Sequence, residues 1–188
     1  MDIIKTFIEC EALLEGHFIL SSGLHSNRYL QCAKVLQYPL LAEQLGALLA
    51  EKFRNEAPQV IVGPAMGGII IAQEVGRALK TRTIFSEREK GLMTLRRGFS
   101  IGRGERVLVV EDVITTGGSA KEVAEMLKER GAEVVGLGSI IDRSGGKAEF
   151  PAPFRSLAAV AVETYDPADC PMCAEGTVAE KPGSKTIQ

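Results

Sequence analysis

The sequence has 188 residues, 45% of them hydrophobic and 24% charged. That is an ordinary composition for a globular fold, and the length supports a core without metal or disulfide staples. Lys and Arg number 22 against 24 Asp and Glu, a net charge of −2, which excludes a chain basic overall and built to coat nucleic acid, though not a local basic patch. No apolar run approaches the ~20 residues that cross a bilayer. Met1-Asp2-Ile3-Ile4-Lys5 lacks the basic-then-apolar layout of a secretion signal. The expected location is cytoplasmic, where the four cysteines stay reduced and do not form a disulfide scaffold.

In chain order, Ile4, Phe7, Ile8, Ala12 and Leu14 fall near helical spacing and predict a helix over 2–15, with Gly16 as its stop. Residues 16–31 are turn-rich and partly extended. Pro39 opens a second helix to about residue 55, with Leu41, Leu45, Leu48, Leu49 and Phe53 on one face. Val60-Ile61-Val62 is a short apolar strand. The glycine-rich Gly63-Pro64-Ala65-Met66-Gly67-Gly68 follows, then an apolar helix from Ile69 to about Lys80. Thr83-Ile84-Phe85 predicts another strand, and the charged, glycine-punctuated residues 86–104 read as a long loop or exposed hairpin. Val107-Leu108-Val109-Val110 lacks polar alternation, as a strand buried on both faces of a parallel sheet does. After a loop at 111–118, Ser119 and Glu122 match a capping box and start a helix that runs to about Arg130. Val134–Ile141 and Leu157–Val162 are further strands, and residues 164–188 read as a surface tail. Strands alternating with helices predict an α/β fold with a central, mostly parallel sheet flanked by helices. The expected organisation is one domain over 1–188: an N-terminal part (1–38), an α/β core (39–163) and a tail (164–188).

The chemistry gathers at Glu111-Asp112-Val113-Ile114-Thr115-Thr116-Gly117-Gly118-Ser119. Two carboxylates end a buried strand, and a small, hydroxyl-rich turn then opens a helix. Successive backbone amides in such a turn, with the helix N-terminus behind them, form a nest for an anion. Thr115, Thr116 and Ser119 can donate to phosphate oxygens, while Glu111 and Asp112 repel phosphate and suit the hydrogen-bond-donating diol of a sugar. Together they describe a site for a ribose 5-phosphate. Two commoner phosphate motifs are excluded. No Gly-x-Gly-x-x-Gly opens a helix after a strand, and Ile69-Ile70 stands where a P-loop needs Lys-Ser/Thr.

The segment from Val109 to Ser119 resembles the phosphoribosyl pyrophosphate (PRPP) signature of the type I phosphoribosyltransferases, and its particular form is similar to the orotate phosphoribosyltransferases. The likeness spans about residues 8–162. It implies the type I phosphoribosyltransferase fold with an N-terminal hood and a flexible loop. The implied reaction is orotate plus PRPP giving orotidine 5′-monophosphate and pyrophosphate, with Mg²⁺, in de novo pyrimidine synthesis. Phe18–Gly23 with Tyr29 and Leu30 resembles the hood over the base, and 63–68 resembles the pyrophosphate loop. That loop typically carries a non-proline cis peptide, here at Ala65-Met66. The resemblance assigns Glu111 through Ser119, with Ala65 and Met66, to PRPP, and Thr115, Arg143, Tyr29 and Leu30 to orotate. Glu111 and Asp112 are assigned to the ribose hydroxyls, and Mg²⁺ is held mainly by substrate oxygens and water. The alternative for Arg143 is a surface salt bridge beside Asp142. Homodimerisation is also implied by the resemblance alone.

Departures from the family pattern fall in the flexible loop. The usual Arg-Lys, further Lys and His-Gly are replaced by Ser86-Glu87-Arg88-Glu89-Lys90-Gly91-Leu92-Met93-Thr94-Leu95-Arg96-Arg97-Gly98, without a histidine. Met66-Gly67 replaces a Tyr-Lys pair, and Ser21 stands where a lysine is usual. Arg88, Lys90, Arg96 and Arg97 are either substitute cations or a solvated hairpin, with Arg88 and Lys90 ranked first as catalytic. The competing functions are transfer to another base, or a PRPP-binding regulator without turnover. Finally, Cys170-Pro171-Met172-Cys173 is half of a four-thiolate zinc site, a redox pair, or two free thiols. Cys10 and Cys32 are further possible ligands.

Overall fold

The structure is a computed structural model, and it describes residues 1–20 and 22–182. In chain order the helices are α1 (Ile3–Glu9), α2 (Ala33–Leu36), α3 (Pro39–Glu51), α4 (Gly68–Leu79), α5 (Gly118–Glu129) and α6 (Pro171–Ala174). The strands are β1 (Leu13–Ile19), β2 (His25–Leu30), β3 (Val60–Pro64), β4 (Arg82–Glu89), β5 (Leu92–Leu95), β6 (Arg106–Ile114), β7 (Glu133–Asp142), β8 (Phe154–Ala159) and β9 (Thr164–Tyr165). The chain divides into two compact units: residues 36–160, and residues 1–35 together with those from 161 onward.

The larger unit is built on a six-stranded sheet in the order β5-β4-β3-β6-β7-β8. All neighbours pair in parallel except the edge hairpin β4–β5. Both faces are covered, so the central strands are apolar throughout; every residue of β3 is buried. Alternation along the strands divides the two cores. On one face Val60, Val62, Val107, Val109 and Leu137 join Ala120, Val123, Ala124 and Leu127 of α5. On the other, α3 and α4 cover the sheet. A Cβ on Gly136 or Gly138 would stand 2.7 or 2.9 Å from the Phe53 ring, so β7 carries glycine where that ring lies on it. Full burial of each such Val, Leu or Ile stabilises the fold by about 1.5–3 kcal/mol.

The smaller unit holds a three-stranded antiparallel sheet, β1-β2-β9. Here the sequence reading needs correction. The first helix stops at Glu9, because Glu11 takes a left-handed conformation (φ 52°) and the Ala12 amide turns back to the Phe7 carbonyl at 2.8 Å. Gly16 therefore lies inside a strand, and the apolar residues 12–14 form an extended run. Residues 164–182 are also more than a surface tail. They supply β9 beside β2, and Glu180 bridges β1 through its carbonyl to the Ile19 amide and its amide to the His17 carbonyl, both 2.8 Å.

Candidate active site at the carboxyl ends of the parallel strands

The apolar run of β6 continues as strand through Glu111, Asp112 and Val113 to Ile114, so both carboxylates sit on the ladder and not in the expected loop. Pairing with β7 holds them: Glu111 lies opposite Ser139, Val113 opposite Ile141 and Ile114 opposite Asp142. The Val113 amide donates to Asp112 Oδ1 at 2.9 Å. Burial, and then the adjacent negative charge of Asp112, push the Glu111 carboxyl up to about 7.

The turn Thr115-Thr116-Gly117 leads straight into α5. Gly117 takes φ +78°, and a Cβ there would meet the Phe150 ring at 2.7 Å, so glycine is required on both counts. Thr115, Thr116 and Gly118 are exposed and Ser119 half-buried, which leaves their hydroxyls and amides at the surface of the turn. The expected capping box does not form: the N-cap is Gly117, which has no side chain to offer, and the Gly118 amide donates to Thr116 Oγ1 at 3.4 Å. Ser119 lies inside the helix and not at its cap, and Glu122 accepts from the Met93 amide (2.6 Å) and from Arg88 Nη2 (2.8 Å) on the neighbouring hairpin.

The 63–68 loop abuts the same strand end. The Ala65-Met66 peptide is cis. A Cβ on Gly67 would lie 2.6 Å from Asp112 Oδ1, and one on Gly68 2.8 Å from the Val110 carbonyl. The glycines therefore allow the start of α4 to close onto β6. Met66 is 85% exposed. Beyond β7, the Arg143 amide donates to the Ile114 carbonyl at 2.7 Å. That bond seats Arg143 beside Thr115 at the ends of adjacent strands. The Asp142 carboxylate meanwhile accepts from the Ser144 amide at 2.8 Å.

Residues 32–158 match the phosphoribosyl transferase domain family. Over 185 residues the chain is 54% identical to the orotate phosphoribosyltransferase of Caldicellulosiruptor saccharolyticus, with 98% of this chain and 97% of that protein covered. The chain belongs to the orotate phosphoribosyltransferase family. The Thermotoga maritima orotate phosphoribosyltransferase is likewise 54% identical, over 187 residues that cover 99% of this chain and all of that one. The crystal structure of orotate phosphoribosyltransferase from Aeropyrum pernix superposes with a TM-score of 0.72 at 25% identity, covering 84% of this chain and 93% of that one.

Within this orotate phosphoribosyltransferase family chain, the divergent loop is the β4–β5 hairpin. Arg88 on β4 pairs with Glu122 of α5 at 2.8 Å and also donates to the Gly91 carbonyl. Lys90 sits exposed at the tip with φ 49° and makes no ion pair among the described residues. Arg96 pairs with Glu89 at 3.4 Å, and Arg97 with Glu87 at 2.8 Å while stacking over Phe85. Of the four cations, Lys90 alone has no acidic partner among the described residues. Tyr29 and Leu30 lie on β2 in the smaller unit. The Tyr29 ring stands 5.9 Å from that of Phe18, and Leu30 is buried opposite Leu13. Ser21 lies outside the described residues.

Sequence reasoning missed two supports of the site. Gly67 carries a visible signal, since it belongs to a glycine pair in an already suspect loop. Phe150 carries none, because nothing in its own surroundings points to Gly117.

Proposed function

We propose that this chain transfers the 5-phosphoribosyl group of PRPP to orotate, releasing pyrophosphate and orotidine 5′-monophosphate, a step in pyrimidine biosynthesis. One observation carries the reading: the acidic strand end, the Thr115–Ser119 turn and Arg143 are brought together by the β6–β7 ladder. The turn amides and hydroxyls suit the 5′-phosphate, with the potential of α5 behind them. Glu111 and Asp112 accept from the ribose hydroxyls. Held at both ends, the substrate presents C1 to the base, which mainly supplies positioning. As the bond from C1 to pyrophosphate stretches, positive charge grows on the sugar and negative charge on the leaving group.

Arg143 suits the carboxylate and carbonyls of orotate through a planar guanidinium. Thr115 adjoins it, and Tyr29 and Leu30 are assigned to the base through the family likeness. The oxygen-only donors of Glu111, Asp112, Thr115 and Thr116 fit a hard cation. Mg²⁺, bound mainly through PRPP oxygens and water, would neutralise charge on the departing pyrophosphate. Ala65 and Met66 offer backbone groups to that pyrophosphate, and Lys90 with Arg88 supplies the nearby positive charge.

The same reading includes a homodimer. Leu40 (73% exposed) and Leu48 (41% exposed) lie on one outer face of α3, at i and i+8. They support an apolar contact with a second copy, which sedimentation would detect. No helix among the described residues is long and apolar enough to cross a membrane, which fits a cytoplasmic location.

The deciding experiment mixes purified chain with orotate, PRPP and Mg²⁺ and follows orotate absorbance. Loss that needs all three, and that collapses in Asp112→Asn, is expected. PRPP binding without loss of orotate would overturn the reading, and a panel of other bases would then separate transfer to another base from a non-catalytic regulator.

A further inference from the structure

Four side chains that the proposed reaction does not use meet inside the smaller unit. His17 on β1, His25 on β2, Cys170 at the N-cap of α6 and Cys173 within that helix bring one ligand atom each to within 4.8 Å of one another. Cys170 Sγ lies 3.5 Å from His17 Nε2, and Cys173 Sγ lies 3.8 Å from His17 Nε2 and 3.3 Å from His25 Nδ1. Sulfur at ~2.3 Å and nitrogen at ~2.0–2.1 Å from a tetrahedral zinc ion stand about 3.3–3.8 Å apart. The sulfur–nitrogen separations fall at those values. The two imidazoles, 2.8 Å apart, are somewhat closer and need to part slightly.

The backbone is arranged for this cluster. The β1–β2 register slips between Glu15 and Phe18, and consecutive residues His17 and Phe18 are both buried. A regular strand with one covered face would expose one of them; the irregularity turns His17 inward. The second imidazole nitrogen is also supported. His17 Nδ1 lies 3.1 Å from the Thr177 carbonyl and 2.9 Å from its hydroxyl. A carbonyl only accepts, so Nδ1 carries the proton and the Nε2 lone pair faces the cluster, the tautomer that a metal-bound histidine needs. The Thr177 hydroxyl passes its own proton to the Met172 carbonyl at 2.7 Å. Cys170, His17 and His25 are 3%, 8% and 8% exposed, and neither cysteine is in a disulfide.

We propose that His17, His25, Cys170 and Cys173 bind one zinc ion as a structural site that fastens residues 170–180 to the β1–β2 hairpin. Two imidazoles and two thiolates in a tetrahedron are a donor set for Zn²⁺ and unsuited to Mg²⁺. Each thiol gives its proton to solvent on binding. Two thiolates then balance the dication, so the buried site is neutral. Four protein ligands close the coordination sphere, which makes the role structural and not catalytic. Cys10 and Cys32, the other cysteines, take no part in the cluster.

The test uses the full chain purified in reducing buffer without chelator. Elemental analysis is expected to find about one zinc per chain. Replacement by cobalt should give the visible bands of a tetrahedral site with thiolate charge transfer. Cys173→Ser, at an exposed position, and His25→Gln should each lose the metal while far-ultraviolet circular dichroism stays that of the parent. Stripping zinc with a chelator should lower the thermal midpoint by more than about 5 °C, and added zinc should restore it. A metal-free chain whose midpoint ignores added zinc would overturn the proposal. So would full zinc content in both variants, or a Cys170–Cys173 disulfide in the freshly purified chain.

Discussion

Gly67 lies against Asp112 so closely that a single added methyl would stand 2.6 Å from the carboxylate oxygen. The backbone of Gly67 is ordinary right-handed helix (φ −58°), so alanine is conformationally acceptable there and the nearest conflict is with the Asp112 carboxylate. Gly67→Ala should therefore leave the thermal midpoint within a few degrees of the parent while displacing Asp112. Because misplacement by about 1 Å can cost about 100-fold in rate, kcat/KM should fall by that order. Steady-state loss of orotate absorbance, beside a thermal melt, checks both halves.

Glu111 supplies a pH prediction. Its ordinary value is 4.5, and burial followed by the charge of Asp112 raises it to about 7 in the folded chain. The folded state thus holds this proton more tightly than the unfolded one, so its contribution to stability falls as pH rises between those values, by at most about 3 kcal/mol. Glu111→Gln should flatten that fall and melt higher than the parent at pH 8. Binding acts in the opposite sense. An ionised carboxylate is the stronger acceptor for the ribose hydroxyls, so PRPP affinity should rise more steeply with pH through about 7 in the parent than in Glu111→Gln, whose remaining pH dependence is that of the substrate phosphates. Calorimetric titration with PRPP across pH 5.5–8.5, values chosen to bracket the folded titration, would show it.

Lys90 separates chemistry from scaffolding. Exposed and outside any ion pair among the described residues, it contributes little to stability, whereas Arg88 is tied to Glu122. Lys90→Gln should lower kcat about tenfold or more with an unchanged melt, as expected for a cation beside a developing negative charge. Arg88→Ala should lower both. Equal kcat for Lys90→Gln and parent would remove Lys90 from the mechanism.

Arg143 should govern the base and not the phosphates. Charge-assisted hydrogen bonds are worth about 1.5–3 kcal/mol, so Arg143→Ala should raise KM for orotate about 10–100-fold with KM for PRPP little changed. Arg143→Lys should recover only part, since a point charge lacks the bidentate fork. Initial rates over both substrate concentrations test this.

Much of the larger unit was legible because its signals are local. Val60–Val62 and Val107–Val110 are unbroken apolar runs, and the motif at 111–119 carries its own chemistry. Where the reading failed, the deciding partner was distant. Ser119 and Glu122 have the spacing of a capping box, yet Glu122 is taken by Arg88 and Met93. Ala12 and Leu14 fit a helical spacing, but Leu13 and Leu14 pair with Leu30 and Tyr29 of β2 as strand. The Cys-x-x-Cys pair left zinc, a redox pair and free thiols all open, because the histidines at 17 and 25 lie about 150 positions away, as the separation of 153 between Cys170 and His17 illustrates.

The smaller unit is assembled from two stretches that the whole larger unit separates in sequence. β9 pairs with β2, and Glu180 bridges β1 on the other side. During synthesis the hairpin is made first and waits for both neighbours, while residues 36–160 already contain every strand of the large sheet. The hairpin is therefore finished last, and a ribosome that stalls just after residue 160 releases a chain with every strand of the large sheet made and both hairpin edges open to pairing with another molecule. Completion of the hairpin thus reports that the chain has been translated through its zinc-ligand segment.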